Sequence, residues 1–114
     1  MNDCIFCTIA NDDPDKLVWH SDRVAAFNDI HPKAKVHILV VPKQHVTSLD
    51  DLDDAQLAGE LLMAARAVAH QAELKGGWRI QVNTGRAGGQ VVDHVHIHVL
   101  GNPGGDAAAW GVAG

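Results

Sequence analysis

The sequence predicts an α+β domain: a mainly antiparallel five-stranded sheet with one long helix and a short N-terminal helix. Short apolar segments of strand character are grouped before and after a single long segment with helical spacing, a pattern typical of this class. The last of them, "HVHIHVLG" (94–101), alternates histidine with apolar residues, as expected of a strand with one buried face. The length of 114 residues fits a single domain over 1–114.

Three strands are expected before the long helix. The segments "KLVWHSD" (16–22) and "RVAAFND" (23–29) are interpreted as a hairpin with its turn near Ser21. The segment "KVHILVVP" (35–42) is apolar enough for a central strand. It ends at Pro42, because proline has no amide hydrogen for the ladder.

The long helix is expected after the segment "SLDDLDD". Asp53 and Asp54 suit its start, where carboxylates cap free amides and oppose the helix dipole. Lys75, followed by Gly76 and Gly77, suits its end. The apolar stripe along this helix indicates core packing, with a subunit contact as the alternative; it consists of Leu57, Leu61, Ala65, Val68 and Ala72.

The segment "WRIQVN" (78–83) is the fourth expected strand, and "TGRAGGQ" (84–90) is a glycine-rich loop that leads to the histidine strand. Glycines let backbone amides approach an anion, and Arg86 could add positive charge. The remaining segment, 101–114, is rich in Gly and Ala. We expect a loosely ordered tail with Trp110 as its only anchor.

Charge and composition exclude several classes of protein. The formal net charge of −5 argues against a general nucleic-acid binder, which needs a basic surface. The N-terminus "MNDCIFC" has no basic region before an apolar run, and no segment has the length of a membrane span. A cytoplasmic protein without a membrane partner is therefore expected. The only two cysteines are too few for a disulfide framework, which leaves a redox pair or a metal pair.

The three imidazoles of the last strand indicate chemistry at phosphorus. His94, His96 and His98 share one face, and the outer two lie about 13 Å apart in a regular strand, so that one metal ion cannot easily bind all three. A row of imidazoles can supply both a nucleophile and a proton donor near neutral pH.

The segment "HVHIHVL" resembles the His-φ-His-φ-His-φ-φ signature (φ, apolar) of the histidine triad (HIT) family. The segments "FNDIHPKAKVHILVVPKQH" and "VNTGRAGGQ" resemble its Hint branch, the histidine triad nucleotide-binding proteins. The resemblance implies a HIT-like fold and a homodimer in which two sheets become continuous. It also implies hydrolysis of purine nucleoside 5′-phosphoramidates or adenylates through a covalent nucleotidyl-histidine. The alternatives are a nucleotide-binding regulatory module with little turnover and a dinucleoside polyphosphate hydrolase.

The resemblance also assigns roles to single residues. It makes His96 the nucleophile, with the backbone near His94 fixing its tautomer and His98 donating a proton to the phosphate or the leaving amine. Asp29 would bind the ribose hydroxyls, and Ile5, Phe6 and Ile30 would form the slot for the base. The expected contacts on the phosphate side are Asn83, Gly89, Gln90 and Val91.

Some bacterial histidine triad proteins carry a structural zinc ion, and this resemblance implies the ligands Cys4, Cys7, His45 and His94. A Cys₂His₂ set closes a tetrahedral site. In metal-free relatives the histidine at position 45 is instead expected to relay protons, which a zinc-bound imidazole cannot do. We assign His45 to zinc and proton transfer to His98.

The chain departs from the usual Hint pattern at three places. Val91 stands where a hydroxyl residue often helps to bind the leaving group, His31 follows "NDI" where serine is common, and the tail diverges. Of the remaining histidines, His37 is expected to be a satisfied interior residue, whereas His20 and His70 are expected to be solvated.

Overall fold

The computed structural model describes residues 4–103, and within them it contains two α-helices and five strands, which confirms the α+β prediction. In chain order the elements are α1 (Ile5–Asp12), β1 (Leu17–His20), β2 (Val24–Asn28), β3 (Val36–Pro42), α2 (Ala55–Gln71), β4 (Arg79–Gln81) and β5 (Ile97–Gly101). Within this part of the chain, neither helix is long and apolar enough to cross a membrane.

The five strands form one sheet in the order β1-β2-β3-β5-β4, and every neighbouring pair is antiparallel. The predicted hairpin is present, and the Ser21 amide donates to the Val24 carbonyl across its turn at 2.9 Å. β3 lies at the centre of the sheet, as its apolar sequence predicts, and it ends at Pro42. β1 and β4 are the two edges.

The two faces of the sheet are covered differently. Alternate residues of the three inner strands, such as Val24 in β2, Val40 in β3 and Val99 in β5, pack with α2 in the larger core because side chains of a strand alternate between faces. The opposite face carries a smaller apolar cluster beneath α1, which includes Phe6 and Phe27. His98 of β5 lies on this second face, opposite Leu39 of β3.

Helix α2 begins as predicted and ends earlier than predicted. The Asp54 carboxylate accepts from the Leu57 amide at 3.0 Å, which satisfies a free donor at the helix start. The helix stops at Gln71 rather than near Lys75, because Glu73 has a positive φ of 61° and reverses the chain. The amides of Glu73 and Leu74 donate to the carbonyls of His70 and Ala69, which is the Schellman arrangement. Burial of the Leu74 side chain favours this earlier end.

The histidine strand also begins later than predicted. Ladder pairing starts at Ile97, opposite Val40, whereas the amides of His94 and Val95 donate to the carbonyls of Val92 and Val46. His94 and His96 therefore precede β5, and the predicted strand over 94–101 is too long at its N-terminal end. The tail from residue 104, with Trp110, lies outside the described residues.

Candidate active site

A cavity of about 940 Å³ opens on the face of the sheet that carries α1. Its walls come from α1, the ends of β1 and β2, strand β3, β5 and the glycine-rich loop. The cavity brings together most of the residues that the sequence analysis assigned to catalysis and nucleotide binding: Ile5, Phe6, Asp29, Ile30, Asn83, Gly89, Val91, His96 and His98.

His96 is held in the tautomer that a nucleophile requires. Its Nδ1 lies 2.7 Å from the His94 carbonyl oxygen. A carbonyl can only accept, so Nδ1 carries the proton and Nε2 keeps its lone pair. The ring of Phe6 meets the His96 ring edge-on at a centroid distance of 5.1 Å, and the His98 ring lies at 4.9 Å. The buried imidazole is thus fixed by one hydrogen bond and two rings.

His98 belongs to a chain of hydrogen bonds that the sequence analysis did not predict. The Lys33 amide donates to Nδ1 of His37 at 3.0 Å, so the neutral His37 ring carries its proton on Nε2. This Nε2 lies 2.9 Å from Nδ1 of His98 and therefore donates to it. The proton of neutral His98 is then on Nε2, its remaining ring nitrogen.

Asp29 is the cross-strand neighbour of His37. Its amide donates to the His37 carbonyl, and its Oδ2 lies 3.4 Å from the His37 Nε2. The other carboxylate oxygen accepts from the His31 amide at 2.8 Å. Asp29 therefore lines the cavity as an acceptor that is already oriented by its neighbours.

Burial keeps both histidines of this chain neutral. Burial first, and the like charges of the nearby His96 and His37 second, lower the pKa of His98 to about 4. Burial also lowers the pKa of His37, against the opposing attraction of Asp29. At neutral pH the two rings are thus uncharged donors and acceptors, with the tautomers fixed as above.

The glycine-rich loop differs in part from its predicted role. The Gln90 side chain is buried away from the cavity and bonds the Gly85 amide and the carbonyls of Thr47 and Val92. It organises the loop, and the structure does not bring it to the nucleotide side. Arg86 bonds the carbonyls of Gln90 and Val91 and the Asp93 carboxylate at the loop's end, so it adds no charge to the cavity wall.

Gly89 and Asn83 do reach the cavity. Gly89 has a φ of 87°, and a Cβ there would lie 3.3 Å from the Asn83 amide nitrogen, so this position favours glycine. The side-chain Nδ2 of Asn83, the same nitrogen that faces Gly89, donates to the Gly88 carbonyl at 2.7 Å and so fixes the loop beside the cavity. Val91 is 83% exposed and lines the same wall.

The predicted metal ligands Cys4, Cys7, His45 and His94, hereafter the Cys₂His₂ cluster, lie together. Their ligand atoms are all within 4.8 Å of one another. Nε2 of the buried His94 lies 2.8 Å from the Pro42 carbonyl and must carry the proton, so the lone pair on Nδ1 faces both sulfurs at 3.3 Å. A histidine that donates to a carbonyl through its second nitrogen is typical of metal sites. The donor set fits zinc.

Asp29, His37 and His98 also lie within 4.8 Å of one another. A metal ion there would need the Nε2 lone pair of His37, and the Lys33 amide instead favours the tautomer with a proton on that atom. These three residues are therefore interpreted as a hydrogen-bond chain.

His37 is the main functional candidate that the sequence analysis missed. It is buried and satisfied, as predicted, but it also lines the cavity and contacts His98. Its partner in the β3–β5 ladder is Leu100, two residues after His98, so the two histidines are diagonal neighbours on one face. The pairing depends on strand register, which the sequence pattern does not give. His20 and His70 are exposed, as predicted.

Comparison with known proteins places this arrangement in a family. The HIT domain family model matches residues 10–104. The chain belongs to the HIT family. It is 44% identical over 99 residues to an uncharacterized HIT-like protein of Synechococcus elongatus, which covers 85% of this chain and 84% of that protein.

Two solved structures of similar sequence also have a similar fold to this HIT protein. A HIT family hydrolase from Legionella pneumophila is 33% identical with a TM-score of 0.81, covering 95% of this chain and 97% of that one. A histidine triad nucleotide-binding protein from Candida albicans is 26% identical with a TM-score of 0.78, covering 97% and 85%. The HIT fold predicted from the motif is therefore confirmed.

Proposed function

We propose that this HIT protein is a nucleotide hydrolase, and specifically a purine nucleoside phosphoramidase. The proposal is carried by one observation: the His96 ring, whose Nε2 keeps its lone pair, lies 4.9 Å by centroid distance from the His98 ring, whose Nε2 carries a proton. A nucleophile next to a neutral proton donor is what the cleavage of a P–N bond requires. The names of two structural relatives, a hydrolase and a nucleotide-binding protein, support the same reaction class.

In the proposed reaction His96 Nε2 attacks the α-phosphorus, and the P–N bond breaks. The leaving nitrogen takes the Nε2 proton of His98, whose Nδ1 keeps its hydrogen bond from His37. Water then attacks the phosphorus of the nucleotidyl-histidine and gives a proton back to His98 Nε2, the P–N bond to His96 breaks, and the monophosphate leaves. The His94 carbonyl keeps Nδ1–H of His96 oriented throughout and stabilises positive charge on the ring.

The nucleotide is proposed to lie along the cavity with its base against Ile5, Phe6 and Ile30 and its ribose hydroxyls on Asp29. All four residues line the cavity, and an ionised carboxylate is a strong acceptor for hydroxyl groups. Asn83, Gly89 and Val91 would then border the phosphate and the leaving group.

Two further features belong to the proposal. Zinc would be bound by the Cys₂His₂ cluster in a closed tetrahedral set, with no position open for substrate. The protein would be a homodimer joined at the open edge strand β4, whose Ile80 is 39% exposed.

The proposed intermediate can be tested by mass spectrometry. Full-length protein mixed with adenosine 5′-phosphoramidate and quenched in base during turnover should carry one adenylyl group on His96. His96→Ala should show no adduct and lose roughly three orders of magnitude in turnover. His20→Ala is the matched control, because His20 is exposed and outside the cavity. Unchanged turnover in His96→Ala would falsify the mechanism, and wild-type turnover at the uncatalysed rate would favour a binding module.

A further inference from the structure

Helix α1 carries two sets of side chains with different surroundings. Cys4 at its N-cap and Cys7 in its first turn belong to the Cys₂His₂ cluster. Ile5, Phe6 and Ile9 instead line the cavity. The helix has only eight residues, and helices of this length are unstable without tertiary contacts. Its position therefore depends on what holds its two sides.

Two kinds of contact besides the Cys₂His₂ cluster hold α1 against the sheet. Its Phe6 and Ala10 side chains are buried in the smaller apolar cluster, and the Asn11 side chain donates to the Lys43 carbonyl at 2.9 Å. The cluster joins α1 to His45, which follows β3, and to His94, which precedes β5. An ion bound by all four residues would connect three segments that are distant in sequence.

The same cluster is in contact with the residues that hold His96. His94 offers Nδ1 to the cluster while its carbonyl accepts from His96 Nδ1. Phe6 touches the rings of both histidines, with centroid distances of 6.1 Å to His94 and 5.1 Å to His96. A change in the position of α1 would therefore change the cavity wall.

We propose that metal occupancy of the Cys₂His₂ cluster and nucleotide binding in the cavity are positively coupled through α1. The metal-loaded form holds Ile5, Phe6 and Ile9 in the position that the base contacts, so the nucleotide binds without first ordering the helix. By linkage, a bound nucleotide tightens the cluster's hold on the metal by the same factor. The inference rests on the proposed function in that the cavity takes a nucleotide with its base against α1.

The coupling can be measured without any turnover. Zinc-loaded full-length protein is mixed with excess chromogenic chelator, and the rate of zinc release is followed with and without saturating AMP. AMP should slow the release at least about fivefold, the lower range of known coupling factors. Adenosine should also slow it, whereas inorganic phosphate should not, because the coupling passes through the base and α1. An identical rate with and without AMP would overturn the proposal.

A pair of variants locates the coupling. Phe6→Ala removes the α1 side chain that contacts both histidines and keeps every ligand of the cluster, so AMP should slow zinc release by a much smaller factor. Leu62→Ala on α2, where Leu62 is 53% exposed, should keep the full factor. Equal factors in Phe6→Ala and wild type would contradict the α1 route.

Calorimetry distinguishes this proposal from the proposed function. Zinc-loaded protein should bind AMP more tightly than zinc-free protein, by the factor by which AMP raises zinc affinity. Equal AMP affinities would remove the coupling and leave the hydrolase proposal intact. If neither form binds AMP, both proposals fail.

Discussion

At the scale of single residues, hydrogen bonds to the backbone decide what each histidine can do. Carbonyl oxygens fix the tautomers of His94 and His96, and the Lys33 amide fixes that of His37. Chemically identical imidazoles therefore offer different lone pairs. His94 offers that of Nδ1 to the Cys₂His₂ cluster, and His96 offers that of Nε2 to the cavity. The lone pair of His37 Nδ1 is already used by the Lys33 amide. The tautomer of His37 and the burial of His98 each have a measurable consequence.

The first concerns His37 as a positioning residue. His37→Ala should lower kcat for an adenosine phosphoramidate by about 10- to 100-fold and change KM little, because it removes the donor that fixes the His98 tautomer. His37→Gln should restore part of the loss, since its amide can donate to His98 Nδ1. Steady-state kinetics of both variants would test this. If glutamine and alanine had equal effects, the hydrogen bond would not be the cause.

The second concerns the stability of the fold in acid. The folded His98 ring has a pKa of about 4, below the ordinary value of 6.5. Between these values the unfolded chain binds a proton that the folded ring does not, so stability is lost as pH falls from 6.5 towards 4. Each such histidine contributes a slope of up to about 1.4 kcal/mol per pH unit.

Urea unfolding of wild type and His98→Asn across this pH range measures that contribution. The free energy of unfolding of His98→Asn should fall less steeply with decreasing pH than that of wild type. The difference between the two slopes should correspond to about one bound proton. The slope above pH 6.5 should be the same in both proteins, because the ring is then neutral in both states. Parallel curves throughout the range would show that burial does not depress the pKa of His98.

At the scale of elements, the end of α2 is held by a residue with an unfavourable backbone conformation. Glu73 is exposed and has a φ of 61°, where a side chain costs energy and glycine does not. Its ion pair with Lys75 is exposed at both side chains and contributes little.

Glu73→Gly should therefore raise the free energy of unfolding by about 0.5–1 kcal/mol. Glu73→Ala is the matched control: it also removes the carboxylate but keeps a Cβ, so it should change stability little. Thermal or urea unfolding of the two variants tests the difference. A gain of equal size in Glu73→Ala would assign the effect to charge instead of to the backbone.

In the molecule as a whole, β4 is one of the two edge strands of the sheet. β4 has only three residues and leaves its outer ladder groups without a neighbouring strand in the described part of the chain. Such an edge is a template for pairing with another strand. Pairing of β4 with β4 of a second copy would continue the sheet, as proposed for the homodimer.

Ile80→Lys should shift the protein from dimer to monomer in sedimentation experiments, because a charge at this edge opposes pairing. Leu49→Lys is the control: Leu49 is 48% exposed on the turn before α2, and its replacement should leave the dimer intact. A wild-type protein that sediments as a monomer at all concentrations would contradict the proposal.

The fold class and the succession of strands along the chain follow from the sequence alone, and its resemblance to the HIT family adds nine of the residues that line the cavity. The period of two in "HVHIHVLG" correctly assigned Ile97 and Val99 to the core, since alternation follows from strand geometry alone. The motif also led to the family, and the carboxylate of Asp54 correctly marked the start of α2.

Tertiary structure alone decided which polar side chains meet. His37 contacts His98 because of the register between β3 and β5. The Gln90 side chain holds the glycine-rich loop in place because backbone groups of three segments lie within hydrogen-bond distance of it. The end of α2 moved to Glu73 because Leu74 is buried there. The physical reason is common to these cases: local patterns fix which face a residue takes, whereas contacts between distant segments depend on how the packed elements align.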